Sequence, residues 1–494
     1  MIRISDEEIY RNLALENPWW ANGQIGAKID TLPRRSYFGH FSKLARQDDV
    51  RRSVILLGPR RVGKTIMILQ LVSELLKHGT PQSNILFVSL DRPLYNSITL
   101  EKIVQQHLKT SPQAQEKPFW FFFDEIQYLR NWEGELKSLT DLYDNCKFVA
   151  SGSAAAALKA KSQESGAGRF TTFLLPPLTF DEFISFQSET NRQHENLVQF
   201  AHNGFRGGSR LERLDIQYAN ILFENYCTFG GYPEAVFSKN VQGDMDRFIR
   251  EDIIEKVLLR DLPSLYGISD TRELNSLFTT LALNTALEVS LDGLSQTSAV
   301  AKNTLKRYID YLEAAFLIKR VRRIDQNAGR FQRESTFKIY LTNPSLRAAL
   351  FGPLTQEDEH FGHLAETAVF SQWFHIPDAA PIHYARWSDG EIDLVNLGGP
   401  MQQPTWFAEV KWSDRHLTQR ESWDGIGKFI ERHRKSLKSG MITSRSIFGE
   451  RKIHGVEIEI MPTAIYTWMV GRNVVESMES EIDADLLTDE PQLF

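Results

Sequence analysis

At 494 residues the chain is too long for one hydrophobic core, since cores stop growing near ~250–300 residues, so two or three domains are expected. The 42% hydrophobic and 24% charged residues are those of an ordinary globular protein, and a formal charge of −6 excludes a polycation. Any nucleic-acid contact must therefore come from a local basic surface. Two cysteines, Cys146 and Cys227, form neither a disulfide framework nor a metal-ligand spacing.

The first residues lack the apolar stretch of a signal peptide, and no uncharged run is long enough to span a bilayer. The expectation is a cytoplasmic chain without membrane contact. Residues 1–35, with Trp19-Trp20, read as a leader packed on the first domain. From 36 to 180 short apolar strands alternate with helical patterns. The strands are Val54–Leu57, 84–90, Phe119–Phe123 and 147–151, and a helix spans 66–76. Nearly continuous apolar strands between helices indicate a buried parallel sheet.

The turn after the first strand reads Gly58-Pro-Arg-Arg61-Val-Gly63-Lys64-Thr65, a full G-x-x-x-x-G-K-[ST] match between strand and helix. Glycines let backbone N–H groups wrap phosphates, and the helix start favours anions. Gly58, Arg61 and Gly63 would line an ATP site. Lys64 would reach the β- and γ-phosphates, and Thr65 would bind Mg²⁺. The third strand ends in Asp124-Glu125. Asp124 would hold Mg²⁺ through water, and Glu125 would polarise the attacking water. Ser151-Gly152-Ser153 ends the fourth strand; Ser153 is either a γ-phosphate sensor or part of a polar turn. Arg169 is either a surface residue or a phosphate contact, in cis or from a neighbouring subunit. A contact in trans would make the active form a homo-oligomer.

On these residues the chain resembles the bacterial and archaeal AAA+-type ATPases that carry a C-terminal domain of unknown function. The matching strings are the Gly58–Thr65 loop, Phe123-Asp-Glu-Ile-Gln-Tyr-Leu129, Ser151-Gly-Ser153, Pro177-Leu-Thr-Phe-Asp-Glu-Phe183 and Gly230-Gly-Tyr-Pro233. With strings further on they cover about 36–415, and their order carries the likeness. The resemblance implies an α/β architecture: a P-loop NTPase parallel sheet, a helical lid (181–270), a winged helix (271–350) and a C-terminal restriction-endonuclease-like α/β domain (355–475). It supplies no biological role.

Residues 299–315 place Leu305, Tyr308, Ile309 and Leu312 on one helical face, with Lys302, Lys306 and Arg307 mostly off it. Asn303 or Thr304 would cap this helix. With the basic strand that follows, it suggests a winged helix-turn-helix. Arg320, Arg322, Arg323, Arg330 and Arg333 would then meet DNA phosphates. The alternative is a winged helix used for protein packing.

Further on, Glu391-Ile-Asp393 precedes Glu409-Val-Lys411 by about one hairpin. Strand alternation puts Glu409 and Lys411 on one face, and an antiparallel pairing brings Asp393 beside Glu409. Adjacent carboxylates repel unless a cation lies between them, and a lysine alongside would orient a water. This is similar to the PD-(D/E)xK nuclease arrangement, with Asp393 and Glu409 as metal ligands and Glu366 as the acidic residue of the preceding helix. Glu391 stays open as an alternative to Asp393. His383, Tyr384 and Arg386 would touch the scissile phosphate. Lys428, Arg432, Arg434, Lys435 and Lys438 would line a nucleic-acid channel or form a solvated face. The acidic stretch 476–494 reads as disordered. The expectation is an ATPase that controls a metal-dependent DNA nuclease, a build that would suit defence or genome maintenance. The alternative is an ATP-driven DNA- or partner-binding switch with an inactive nuclease-like domain.

Overall fold

The computed structural model describes residues 5–47, 51–110, 118–153, 168–187, 215–324, 336–374, 382–387 and 390–488. It divides into two compact units, Met1–Pro176 with Glu479–Phe494, and Pro177–Met478. Among the described residues no helix is long and apolar enough to cross a membrane.

The first unit is built on five strands: β1 (Ser53–Leu57), β2 (Ile85–Ser89), β3 (Phe119–Asp124), β4 (Cys146–Gly152) and β5 (Phe170–Leu174). All pair in parallel, in the order β2-β3-β4-β1-β5. Every residue of β1 and β3 is buried, as expected of strands covered on both faces. In β3, Phe119, Phe121 and Phe123 pack on one face, and Trp120 stacks on Phe122 at 6.0 Å on the other. Helix α1 (Lys64–Lys77) follows β1 after the loop Gly58–Gly63.

The leader is part of this unit rather than an appendage. Ile9 and Leu13 enter the core, and the segment covers the sheet edge. The Asn17 amide donates to the Phe87 carbonyl (2.8 Å) and accepts from the Phe87 N–H (2.6 Å). The indoles of Trp19 and Trp20 donate to the Ile85 carbonyl at 3.2 and 2.8 Å, and Glu16 accepts from the Ser89 N–H at 2.9 Å. These side chains satisfy backbone groups that an open edge strand leaves unpaired.

In the second unit, nine strands form one mixed sheet. They are β6 (Glu288–Ser290), β7 (Ile318–Ile324), β8 (Thr336–Leu341), β9 (His383–Trp387), β10 (Gly390–Gly398), β11 (Gln403–Glu409), β12 (Ser439–Ser444), β13 (Gly449–Ile453) and β14 (Val456–Pro462). Their order is β13-β14-β12-β11-β10-β9-β7-β8-β6. The parallel β7–β9 pairing carries the sheet across the boundary expected near 350–355. The lid segment also joins it, because Phe180, Phe183, Phe223 and Tyr226 share a core with Tyr340, Phe361, Leu364 and Trp468. This core takes residues from all three segments expected as domains over 181–475, beside a second core around Phe407 and Ile430. Helices α2 (Thr271–Leu283), α3 (Leu291–Ser298), α4 (Lys302–Ala314), α5 (Phe361–Trp373) and α6 (Arg420–His433) complete the part that bears on function.

Two motifs are structural. Thr179 and Glu182 form a capping box, each side chain accepting from the other's N–H at 3.1 Å. At Gly230-Gly231, a Cβ on the first glycine would meet Tyr226 at 2.1 Å, and one on the second would meet the Asn343 side chain at 2.4 Å. Two expectations fail. Helix α4 begins at Lys302 with Ala301 as an unassisted cap, ahead of Asn303 and Thr304. The acidic end is helical to Thr488, because the apolar helix that begins at Thr463 runs through it.

Candidate functional site

The first site lies where β1, β3 and β4 end side by side, the edge at which open parallel sheets bind ligands. Gly63 starts α1 at φ 97, and exposed Arg61 takes a left-handed φ of 65. A Cβ on Gly58 would stand 2.1 Å from the Leu175 carbonyl oxygen, so the chain leaving β5 packs directly on the first residue of the loop. The buried Lys64 ammonium donates to the carbonyls of Gly58 and Pro59 at 3.0 and 2.8 Å. Thr65 donates its hydroxyl to Asp124 at 2.8 Å, and Ser151 donates to the other Asp124 oxygen. Burial, then the neighbouring Glu125 charge, pushes the Asp124 carboxyl up, against the hydrogen bonds of Ser151 and Thr65 and the charge of Lys64. Glu125 sits at φ 54; its N–H donates to Ser151 at 3.1 Å, and its carboxylate accepts from Gln127. Gln127 also accepts from the Ser153 N–H at 3.2 Å. The buried Ser153 hydroxyl finds no hydrogen-bond partner among the described residues.

The donor set fits ATP with Mg²⁺. Gly63 takes a left-handed conformation at the head of α1, a hydroxyl and a carboxylate meet where a cation would sit, and among the described residues the buried Ser153 hydroxyl is unsatisfied. Two supporting residues were not legible in sequence. Buried Arg35, inside the expected leader, donates to the Val62 carbonyl at 2.8 Å and the Pro176 carbonyl at 3.0 Å, pinning the loop. Gln127 ties Glu125 to Ser153; its place two residues after Glu125 was the available signal. Arg169 does not reach the loop of its own chain. It precedes Phe170, which pairs with Ser53 at the opposite end of β1, about 13 Å of strand away, and it binds Asp141 at 2.5 Å.

The second site gathers Glu366 from α5, Asp393 from β10, Glu409 from the end of β11, and Lys411. β10 and β11 are antiparallel with Leu394 opposite Ala408, which sets Asp393 beside Glu409. The Asp393 N–H donates to Glu409 at 3.3 Å, and the Val410 N–H donates to Asp393 at 3.0 Å. Lys411 meets Glu409 at 2.7 Å and Asp393 at 3.7 Å, with its side chain 41% exposed.

A further cation, Lys338 of β8, lies at the centre. Its ammonium is 2.9 Å from Glu366 and 2.9 Å from Asp393, and it also contacts Glu391. Tyr340 donates to Glu366 at 2.5 Å. Burial, then the Asp393 charge, pushes Glu366 up to about 8 and Glu409 up to about 7. Burial also works against the Asp393 anion, but Lys338 and Lys411 outweigh it and hold Asp393 below the usual carboxylate range. Asp393, rather than Glu391, shares partners with Glu409; Glu391 reaches Lys338 and Arg386.

Oxygen donors of this kind suit a hard divalent cation. In this arrangement, however, they do not fit one. Lys338 and Lys411 already lie against the carboxylates, and among the described residues no three or more His, Cys, Asp or Glu side chains converge on a metal position.

Several expected nucleic-acid contacts are engaged otherwise. Tyr384 donates to Glu288 at 2.6 Å, and the exposed Arg386 lies 3.5 Å from the same carboxylate. His383 is half-buried on β9. Arg320 forms ion pairs with Asp310 and Glu313 at 2.7 and 2.5 Å, because β7 follows α4 closely and lies along it. Arg322 and Arg323 are exposed; Arg330 and Arg333 lie outside the described residues. Leu305, Tyr308, Ile309 and Leu312 are buried, and Lys302, Lys306 and Arg307 are exposed, as the pattern predicts. The Lys428, Arg432, Arg434, Lys435 and Lys438 set is exposed throughout.

Comparison with known proteins bears on the first unit. Residues 50–184 match the AAA domain family, and residues 220–357 match a domain of unknown function, DUF8612. The chain carries an N-terminal AAA-type P-loop ATPase domain. An uncharacterized protein of Haemophilus influenzae is 23% identical over 69% of this chain and 78% of its own length. Two uncharacterized proteins of Methanocaldococcus jannaschii are 22% and 24% identical over 53% and 56% of this chain. The chain spans 55% and 58% of those two archaeal relatives.

Proposed function

We propose that the protein hydrolyses ATP at the Gly58–Thr65 loop and uses the cycle to control a phosphodiester-cleaving site formed by Asp393, Glu409, Lys411 and Glu366. Lys64 exchanges the Gly58 and Pro59 carbonyls for the β- and γ-phosphates. Thr65, and Asp124 through water, hold Mg²⁺, which neutralises phosphate charge when bound. Glu125, steadied by Gln127, orients the attacking water and accepts its proton, and the Ser153 hydroxyl donates to the γ-phosphate. At the second site, part-exposed Lys411 meets the phosphodiester while Asp393 and Glu409 fix its ammonium.

The observation that carries the nuclease reading is the convergence of four residues, spread over 366–411, in one buried cluster. A DNA substrate is supported by the order α2-β6-α3-α4-β7-β8, that of a winged helix, with Lys306 and Arg307 exposed on α4. The test is cleavage of duplex and single-stranded DNA and RNA with Mg²⁺ or Mn²⁺, with and without ATP. Cleavage should be lost in Lys411→Ala and lose its ATP dependence in Lys64→Ala. No cleavage under any condition, with ATP turnover intact, would overturn the nuclease. It would leave the second reading, an ATP-driven binding switch, which the capture of Asp393 and Glu366 by Lys338 favours.

A further inference from the structure

Lys338 belongs to none of the expected motifs, yet it makes more charged contacts than any other member of the second site. It projects from β8, whose other residues from Phe337 to Leu341 are apolar or aromatic and buried. Lys338 and Tyr340 share one strand face, and both reach Glu366 on α5. The Lys338 side chain is 3% exposed. A lysine so deeply placed survives only where carboxylates compensate it, and three do.

We propose that Lys338 is the resident cation of this site. Its ammonium holds the position between Glu366 and Asp393 that a divalent ion would need, and such an ion enters only when Lys338 is withdrawn. The inference rests on reading these carboxylates as cation ligands. Two positive centres cannot share one position a few ångströms wide, because their repulsion is unscreened in a buried site. The cluster nevertheless has room for more positive charge. Among the described residues Glu366, Glu391, Asp393 and Glu409 meet Lys338 and Lys411, with Arg386 beside Glu391, so the four carboxyl groups can balance one charge more than these three side chains carry, and a divalent ion in place of the monovalent ammonium supplies it. The folded site is thus latent, and Lys338 sets its threshold for metal. β8 is paired along its length with β7, which bears exposed Lys319, Arg322 and Arg323. A ligand seated on β7 is thereby connected to the strand that holds the ammonium.

The test is Mn²⁺ binding to the full chain without nucleotide, read by electron paramagnetic resonance and by thermal shift. Lys338→Met should gain one Mn²⁺ per chain about tenfold or more tighter than the parent. The gain should vanish when Asp393→Asn is added, and the melting temperature should rise with Mn²⁺ in Lys338→Met and not in the parent. Should Lys338→Met fold poorly, Lys338→Gln, which removes the charge but keeps a hydrogen-bond donor for Glu366 and Asp393, should show the same gain. Equal, Asp393-dependent Mn²⁺ affinity in parent and variant would overturn the role of Lys338 while leaving the metal site standing. Absence of Asp393-dependent binding in every variant would overturn the cation-ligand reading, and the lock with it.

Discussion

Gly58→Ala tests whether the phosphate loop depends on backbone contact or on motif chemistry alone. The added methyl would meet the Leu175 oxygen at 2.1 Å, about 1.3 Å short of a tight 3.4 Å contact. Retreat is blocked from two sides. The Leu175 N–H is bound to the Leu57 carbonyl at 2.7 Å, and the Pro176 carbonyl accepts from the buried Arg35 guanidinium at 3.0 Å. The same guanidinium holds Val62 of the loop, so strain passes to the phosphate-binding turn. Overpacking of this kind costs about 1–3 kcal/mol, and a backbone obstacle places the cost toward the upper end. If half of that strain is relieved only by distorting the loop, ATP affinity falls about tenfold, at 1.4 kcal/mol per decade. Urea unfolding read by tryptophan fluorescence gives the first quantity, and titration with a fluorescent ATP analogue gives the second. A variant that binds ATP within about twofold of the parent, with stability changed by less than about 0.5 kcal/mol, would refute the argument.

Two further perturbations follow from the first unit. Ser153→Ala removes a hydroxyl that is buried and unpartnered among the described residues, so it should leave folding intact and lower kcat about tenfold or more with little change in KM, because its hydrogen bond strengthens as charge builds on the γ-phosphoryl oxygens; steady-state kinetics decide, and an unchanged kcat would make Ser153 a polar turn residue. His107, stacked on Trp20 at 5.1 Å and donating to the Ser83 carbonyl at 2.9 Å, is pushed down to about 4 by burial, against an ordinary value of 6.5. Between those values the unfolded chain binds a proton that the folded chain refuses. Stability is therefore full above pH 6.5 and falls by up to about 3 kcal/mol as pH drops toward 4. His107→Phe should flatten that fall in melts across the range, and an unaltered slope would assign it to other groups.

The two sites differ in how far sequence could reach them, for a physical reason. The ATP loop binds through consecutive backbone groups, so its chemistry dictates a contiguous string, and the strand before it and helix after it fix its shape. Asp393, Glu409 and Lys411 were nearly as accessible, because one antiparallel pairing joins them and period-two alternation assigns their faces. Arg35 was hidden because a residue that pins a loop through carbonyls needs no local pattern. Arg320 misled, since a basic run reads as a phosphate surface until Asp310 and Glu313 of the preceding helix are placed beside it.

Lys338 was out of reach for a different reason. It lies 55 residues from Asp393, on a strand separated from β10 by β7 and β9 in the sheet, and its contact exists only once one sheet runs through the whole second unit. A signal was present in Phe337-Lys-Ile-Tyr-Leu341, where one cation interrupts an apolar strand. Buried lysines demand anions, and the excess carboxylates of the cluster around Asp393 and Glu409 demanded cations. Each imbalance alone reads as a local oddity; together they locate the contact that joins β8 to the second site.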